Sequence, residues 1–282
     1  MSEGISQPLA ANFLNVLRGL ACDSPYGTGS FYVGLGKTLP PDTGDFTGIE
    51  FLADGYARYN INSASAASAW VVSGRAAWNT QTQLFGPASV DWAEEVKSVG
   101  IFPTLAGTVP WFFMHLVTGQ NCPQGNYVKF PPNRLKFSIE STNTGKSDEL
   151  AAKQLSLLLG QSYSLPGNSV YIGLGSKPAS QLGTGDIGEL TTANAPGYAR
   201  VPLSAALGTF TAPGVTRKIS NLIEIKFQDA TSNWELAKSF GIYTTATGGT
   251  PWYFGGFPPE KSILIRRDDN IIIPVAGLEV YE

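Results

Sequence analysis

The sequence predicts a mainly β protein made of two tandem homologous domains. Each is expected to be β-sandwich or jelly-roll-like and to open with one N-terminal helix. Three observations predict this. Landmarks repeat in the same order about 140 residues apart: Tyr32-Val33-Gly34-Leu35-Gly36 returns as Tyr171-Ile172-Gly173-Leu174-Gly175, Gly55-Tyr56-Ala57-Arg58 as Gly197-Tyr198-Ala199-Arg200, and Pro110-Trp111-Phe112-Phe113 as Pro251-Trp252-Tyr253-Phe254. One period of this length marks a duplicated domain, since solenoid units recur about every 20–50 residues. Glycine (32) and proline (19) punctuate short apolar runs throughout, the pattern of many turns between short strands. Each copy also begins with apolar residues at helical spacing.

Taken in order, the first copy opens with a stripe of Leu9, Phe13, Val16, Leu17 and Leu20. The second opens with Ala151, Leu155 and Leu158, with Ser147 as a cap, Asp148 and Glu149 in the first turn, and Gly160 as a stop. Strands follow at 30–35 and 168–174, where Gly34 and Gly173 mark bulges or close backbone approach. Turn-rich stretches at 40–48 and 178–188 come next. Further strands are expected at 56–61 and 198–203, and at 222–227, where apolar and polar residues alternate. Each copy closes on two more strand regions. These are 111–116 and 127–139, broken at Pro131-Pro132, and 252–257 and 271–281, broken at Pro274. Residues 62–69 read as a loop. The first domain is expected at 1–140 and the second at 147–282, joined by a polar linker at 141–146.

Composition excludes several function classes. Charged residues make up only 15%, the net charge is −3, and no Lys/Arg cluster tracks a phosphate backbone, so nucleic-acid binding is not expected. No apolar run reaches transmembrane length, and the start lacks a basic, apolar leader, so neither membrane insertion nor a signal peptide is expected. Cys22 and Cys122 form no metal-ligand spacing, and both lie in the first copy alone.

The search for chemistry is also negative. His115 is the only histidine, which removes any Ser-His-Asp or two-histidine metal arrangement from the second copy. Gly145-Lys146-Ser147 lacks the earlier glycine of a phosphate loop, because Glu140 stands there. The paired Gly-x-Gly runs at Gly34 and Gly173 lack a third glycine and open no helix. The repeated carboxylates, Asp45/Asp186 and Glu50/Glu189, fall in turns where Asp bonds its own backbone. No catalytic residue, cofactor or metal is therefore expected. Arg58 and Arg200 read as pins reaching back to Asp45 and Asp186. Trp92 and Trp234 recur and read as core. Trp70 and Trp78 belong to the first copy alone; with Tyr26 they read as interface anchors or sugar-stacking residues.

An N-terminal helix, Tyr-Val-Gly-Leu-Gly, a Thr-Gly turn, Gly-Tyr-Ala-Arg, a Trp, Gly-Ile-Phe, a paired-aromatic strand and a closing Pro/Leu strand follow one another twice. This order resembles that of small bacteriophage virion proteins of the tail fibre protein family, over about 13–140 and 150–281. The resemblance implies a non-enzymatic virion structural protein, a tail fibre, tail or baseplate component acting in assembly or host attachment. It implies other virion proteins as partners, a host surface glycan as a further one, and a homo-oligomer with a trimer favoured. Capsid decoration and a carbohydrate-binding lectin-like module are the alternatives.

Overall fold

Apolar residues cluster on the inward face of short strands, and those strands pair antiparallel throughout. The structure is a computed structural model describing residues 4–22, 30–41, 43–62, 68–139, 145–182, 185–214, 216–258 and 262–282. Strands account for 33% of it and helices for 11%, so the protein is mainly β.

The first repeat carries β1 (Gly4–Ile5), β2 (Ser30–Gly36), β3 (Tyr59–Asn62), β4 (Trp70–Ser73), β5 (Ala76–Asn79), β6 (Gln83–Phe85), β7 (Val96–Phe102), β8 (Phe112–Gln120), β9 (Val128–Phe130) and β10 (Lys136–Ser138). The second carries β11 (Gly145–Lys146), β12 (Ser169–Gly175), β13 (Val201–Ser204), β14 (Lys218–Ser220), β15 (Ile225–Lys226), β16 (Ser239–Tyr243), β17 (Tyr253–Gly256), β18 (Ile272–Ile273) and β19 (Glu279–Tyr281). Each repeat builds one five-stranded sheet, in the order β1-β8-β7-β2-β3 and again β11-β17-β16-β12-β13. The registers match: Gly34 opposes Gly100 and Gly173 opposes Gly241. Smaller sheets flank them, β10-β5-β4 and β6-β9 in the first repeat, β14-β19 and β15-β18 in the second.

Several elements differ from the sequence expectation for physical reasons. The segment 141–146 was expected to link the domains, but its last two residues pair as β11 with Phe254 and Tyr253. Tyr56 and Tyr198 precede their strands, because both hydroxyls are drawn into the site described below. Within 222–227 only Ile225–Lys226 pairs, while Leu222 and Ile223 are exposed. The hairpin β4–β5 was not anticipated; four-residue strands carry too little periodic signal.

The helices are α1 (Gln7–Val16) and α2 (Asp148–Leu155), the latter running into a 3₁₀ turn at Ser156–Leu159. Leu9, Phe13, Val16 and Leu17 are buried as the stripe predicts, but Leu20 lies beyond the helix and is exposed. Ser147 caps α2 by accepting from the Leu150 N–H through its Oγ at 3.2 Å. Both helical segments end in the same left-handed glycine cap. Gly19 and Gly160 have φ of +82° and +81°. Leu20 N–H bonds Asn15 O, and Gln161 N–H bonds Ser156 O.

By contact density the chain forms two units. One comprises Met1–Ala10, Asp23–Ile139 and Gln154–Tyr163; the other comprises Ala11–Cys22, Glu140–Lys153 and Ser164–Glu282. Each unit thus includes a helical piece from the other repeat. In the first unit the 3₁₀ turn packs against β4. In the second, Gly19 sits so close to Ala205 that a Cβ would land 2.1 Å from its carbonyl oxygen. No helix among the described residues is long and apolar enough to cross a membrane.

Candidate functional site

One polar cluster in each repeat joins a glutamate, a tyrosine and an arginine beside the five-stranded sheet. The glutamate is placed by a single bridge from β2 or β12, Gly36 to Glu50 and Gly175 to Glu189. The tyrosine and arginine follow 6 and 8 residues later in the first repeat and 9 and 11 later in the second, just before β3 or β13. In the first repeat Arg58 Nε donates to Glu50 Oε1 at 2.6 Å and Nη2 to Oε2 at 2.5 Å, a two-pronged pair. The remaining guanidinium N–H groups reach the carbonyls of Thr104 and Gly107. Tyr56 donates to Glu50 Oε1 at 2.8 Å and accepts from Leu35 N–H at 3.0 Å.

The second repeat reproduces the arrangement with equivalent partners. Arg200 Nε and Nη2 reach Glu189 at 2.6 and 2.5 Å, and Nη1 binds the carbonyls of Thr245 and Gly248. Tyr198 donates to Glu189 at 3.2 Å and accepts from Leu174 N–H at 2.9 Å. The guanidinium carbon lies 3.6 Å from the Phe102 ring centre in one copy and 3.3 Å from that of Tyr243 in the other. Paired glycines make room for those rings. A Cβ on Gly34 would come 2.7 Å from Phe102, and one on Gly173 would come 2.9 Å from Tyr243. Burial, followed by the neighbouring glutamate charge, pushes the Tyr56 phenol far above its ordinary value. Burial does the same for Tyr198 and Tyr243.

The pins therefore differ from the sequence expectation in one partner. Arg58 and Arg200 hold Glu50 and Glu189, not Asp45 and Asp186. The aspartates are occupied locally: Asp45 accepts from Thr47 N–H and Asp186 from Gly188 N–H, both at 2.9 Å. An aspartate two residues from the amide it accepts closes its own turn, which leaves the longer glutamate to reach the arginine. Hydrogen bonds from Lys177 first, then from Gly188, hold the exposed Asp186 carboxyl below its ordinary value.

Trp92 and Trp234 are buried and donate through Nε1 to the carbonyls of Asp54 and Pro196. Each ring stands edge-on to Tyr56 or Tyr198, with centres 5.8 Å apart. Trp70 corrects the sequence reading. It is 1% exposed, packed against Phe137 at 5.6 Å, and so cannot anchor an outside partner. The cause is the unforeseen β4–β5 hairpin, which turns its ring inward. Trp78 stays half-buried, with the Lys136 ammonium 5.8 Å from its ring centre. Tyr26 lies outside the described residues.

One duplicated cluster escaped the sequence reading. Asn79 and Asn221 are fully buried. Asn79 Oδ1 accepts from Leu135 N–H at 2.8 Å, and its amide donates to the carbonyls of Gln81 and Pro131. Asn221 does the same with Leu278 N–H, Ile223 O and Pro274 O. The recurring Pro-x-x-x-Leu of 131–135 and 274–278 was the available signal.

Beside the first clasp, an open cavity of about 520 Å³ is lined among others by Phe46, Glu50, Phe51 and Leu52. Lys37 and Glu94 pair across its rim at 3.2 Å. Among the described residues no group of three or more His, Cys, Asp or Glu is placed to hold a metal ion.

Comparison with known proteins settles the kinship. The family model described as Podophage GP4 fiber I protein gp80 matches residues 4–138 and again 145–280, nearly the whole chain. The chain belongs to that family. No curated protein matches it. As a member of the gp80 fibre family it is a bacteriophage virion component, a β-rich tandem duplication that works among other virion proteins.

Proposed function

We propose that this chain is a non-enzymatic structural subunit of the phage fibre, acting in assembly or host attachment through the surfaces its loops present. The observation that supports this reading is the double clasp. A glutamate, tyrosine and arginine together are the ingredients of a reaction centre. Here every charged atom is already engaged. Both carboxylate oxygens meet the guanidinium, the guanidinium's other donors meet loop carbonyls, and the phenol is held protonated. A group that is to take up a proton or bind substrate needs a free position. A clasp used only for shape does not, and it recurs intact in both repeats.

Two similar units per chain favour a homotrimer presenting six similar surfaces about one axis. Trp78, half-exposed, is the surface anchor that fits this use. Multi-angle light scattering of the purified chain together with an adsorption assay tests the proposal. A trimer whose addition slows phage adsorption supports assembly and attachment. A monomer that leaves adsorption unchanged and is missing from purified particles overturns it. Label on the head surface would instead favour capsid decoration. Binding of neutral host glycan through Trp78 would favour the lectin-like alternative.

A further inference from the structure

Strand register makes His115 the counterpart of Gly256, since each lies opposite a buried serine of the neighbouring strand, Ser98 or Ser239. In the second unit that place is closed. A Cβ on Gly256 would land 2.4 Å from the Cβ of Ala179, in the 3₁₀ turn Ala179–Gln181. In the first unit the place is open, and the strand has grown. β8 runs nine residues against four for β17. Pairing with β7 passes from Ser98–His115 to Val96–Gln120, so residues 116–119 face Lys97 alone and bulge outward. Val117 at the bulge is fully exposed.

Under this bulge lies a cavity of about 380 Å³, lined among others by His115, Leu116, Lys129, Phe130, Pro131 and Arg134. Its charge is one-sided, because it includes Lys129 and Arg134 but no carboxylate. Neither cation forms an ion pair among the described residues. Both ring nitrogens of His115 are shielded from solvent and have no hydrogen-bond partner. A buried donor without a partner is costly, so a ligand that offers an acceptor would relieve it. The volume falls in the range of small-molecule sites, about 300–1,000 Å³.

We propose that this cavity binds an anion-bearing monosaccharide unit, a hexuronate or a sugar phosphate. Arg134 and Lys129 take the anion, and the imidazole turns about its broad χ2 to donate an N–H. Leu116 and Pro131 meet the apolar face of the ring. The site belongs to the first repeat alone, and it stands whether or not the chain acts in host attachment.

The lone histidine gives a single imidazole NMR signal in the full chain, which makes the test direct. Glucuronate and glucose 6-phosphate are each titrated against that signal, with glucose and inorganic phosphate as controls. The proposal expects saturable millimolar shifts with both acidic sugars, and binding at least about tenfold weaker for either control. Arg134→Ala and Lys129→Ala, both at exposed positions, should each weaken glucuronate binding by about tenfold or more with the fold unchanged by circular dichroism. Overturning results are the absence of a saturable shift with either acidic sugar, equal binding of glucose or of bare phosphate, or wild-type binding by both variants.

Discussion

Arg58 grips both carboxylate oxygens of Glu50 while its flat face rests on Phe102 and its outer N–H groups hold the loop at Thr104 and Gly107. The side chains are 6% and 17% exposed, so the pair is not a solvent-screened surface bridge. Removing one partner of such a pair strands the other charge, at a cost of about 3 kcal/mol or more. Arg58→Ala and Arg200→Ala should each lower the calorimetric stability by about that amount. Arg58→Lys should recover only part of it, because an ammonium cannot make the two-pronged pair. A loss under about 0.5 kcal/mol for either alanine variant would reduce the clasp to an ordinary surface contact.

Gly34 and Gly173 should be intolerant of the smallest side chain. A methyl at either position meets the ring under the arginine at less than 3 Å, and at Gly173 it also meets the Tyr198 hydroxyl at 3.0 Å. Gly34→Ala and Gly173→Ala are expected to destabilise by about 1–3 kcal/mol through overpacking. Chemical denaturation reads the effect. Gly74, whose Cβ would meet nothing within 4 Å, is a control position, although its left-handed backbone adds a smaller penalty of its own.

Asn79 and Asn221 each close a loop from a buried position, so truncation leaves several backbone groups unmet at once. Asn79→Ala should cost about 2–3 kcal/mol. It should also raise amide hydrogen exchange at Leu135, the residue whose N–H it accepts. Asn221→Ala should act in the same way on Leu278. Unchanged exchange at both leucines would remove the asparagines from the account.

Alkaline pH should unfold the protein through its buried phenols. The ordinary tyrosine value is 10.0, and burial raises Tyr56, Tyr198 and Tyr243 well above it in the folded chain. A group whose folded value is raised stabilises fully below its unfolded value, and that stabilisation is lost as pH climbs past it. Melting temperature should therefore hold steady up to about pH 10 and fall beyond it. Tyr56→Phe should start lower and decline less steeply. An equally steep decline in a Tyr56→Phe, Tyr198→Phe double variant would place the alkaline sensitivity elsewhere.

The duplication, the caps of α2 and the strands β2 and β12 could be read from residues, because glycine, serine and short apolar runs act locally. Gly160 ends its helix and Ser147 caps it for reasons contained within a few residues. The partner of Arg58 was not local. Two repeated carboxylates were available, and only the closed turn at Asp45 decides between them. Trp70 was misread because its burial depends on a hairpin and on Phe137, nearly seventy residues away. Asn79 and Asn221 sit in unlike surroundings, Trp78-Asn79 and Ser220-Asn221, so a single shared letter gave little to find.

Immunogold electron microscopy of intact particles, using antibody raised against this chain, bears most directly on the proposed role. Gold along the fibres is the predicted result. Particles that carry none, while the chain remains in the unassembled fraction of the lysate, would contradict it.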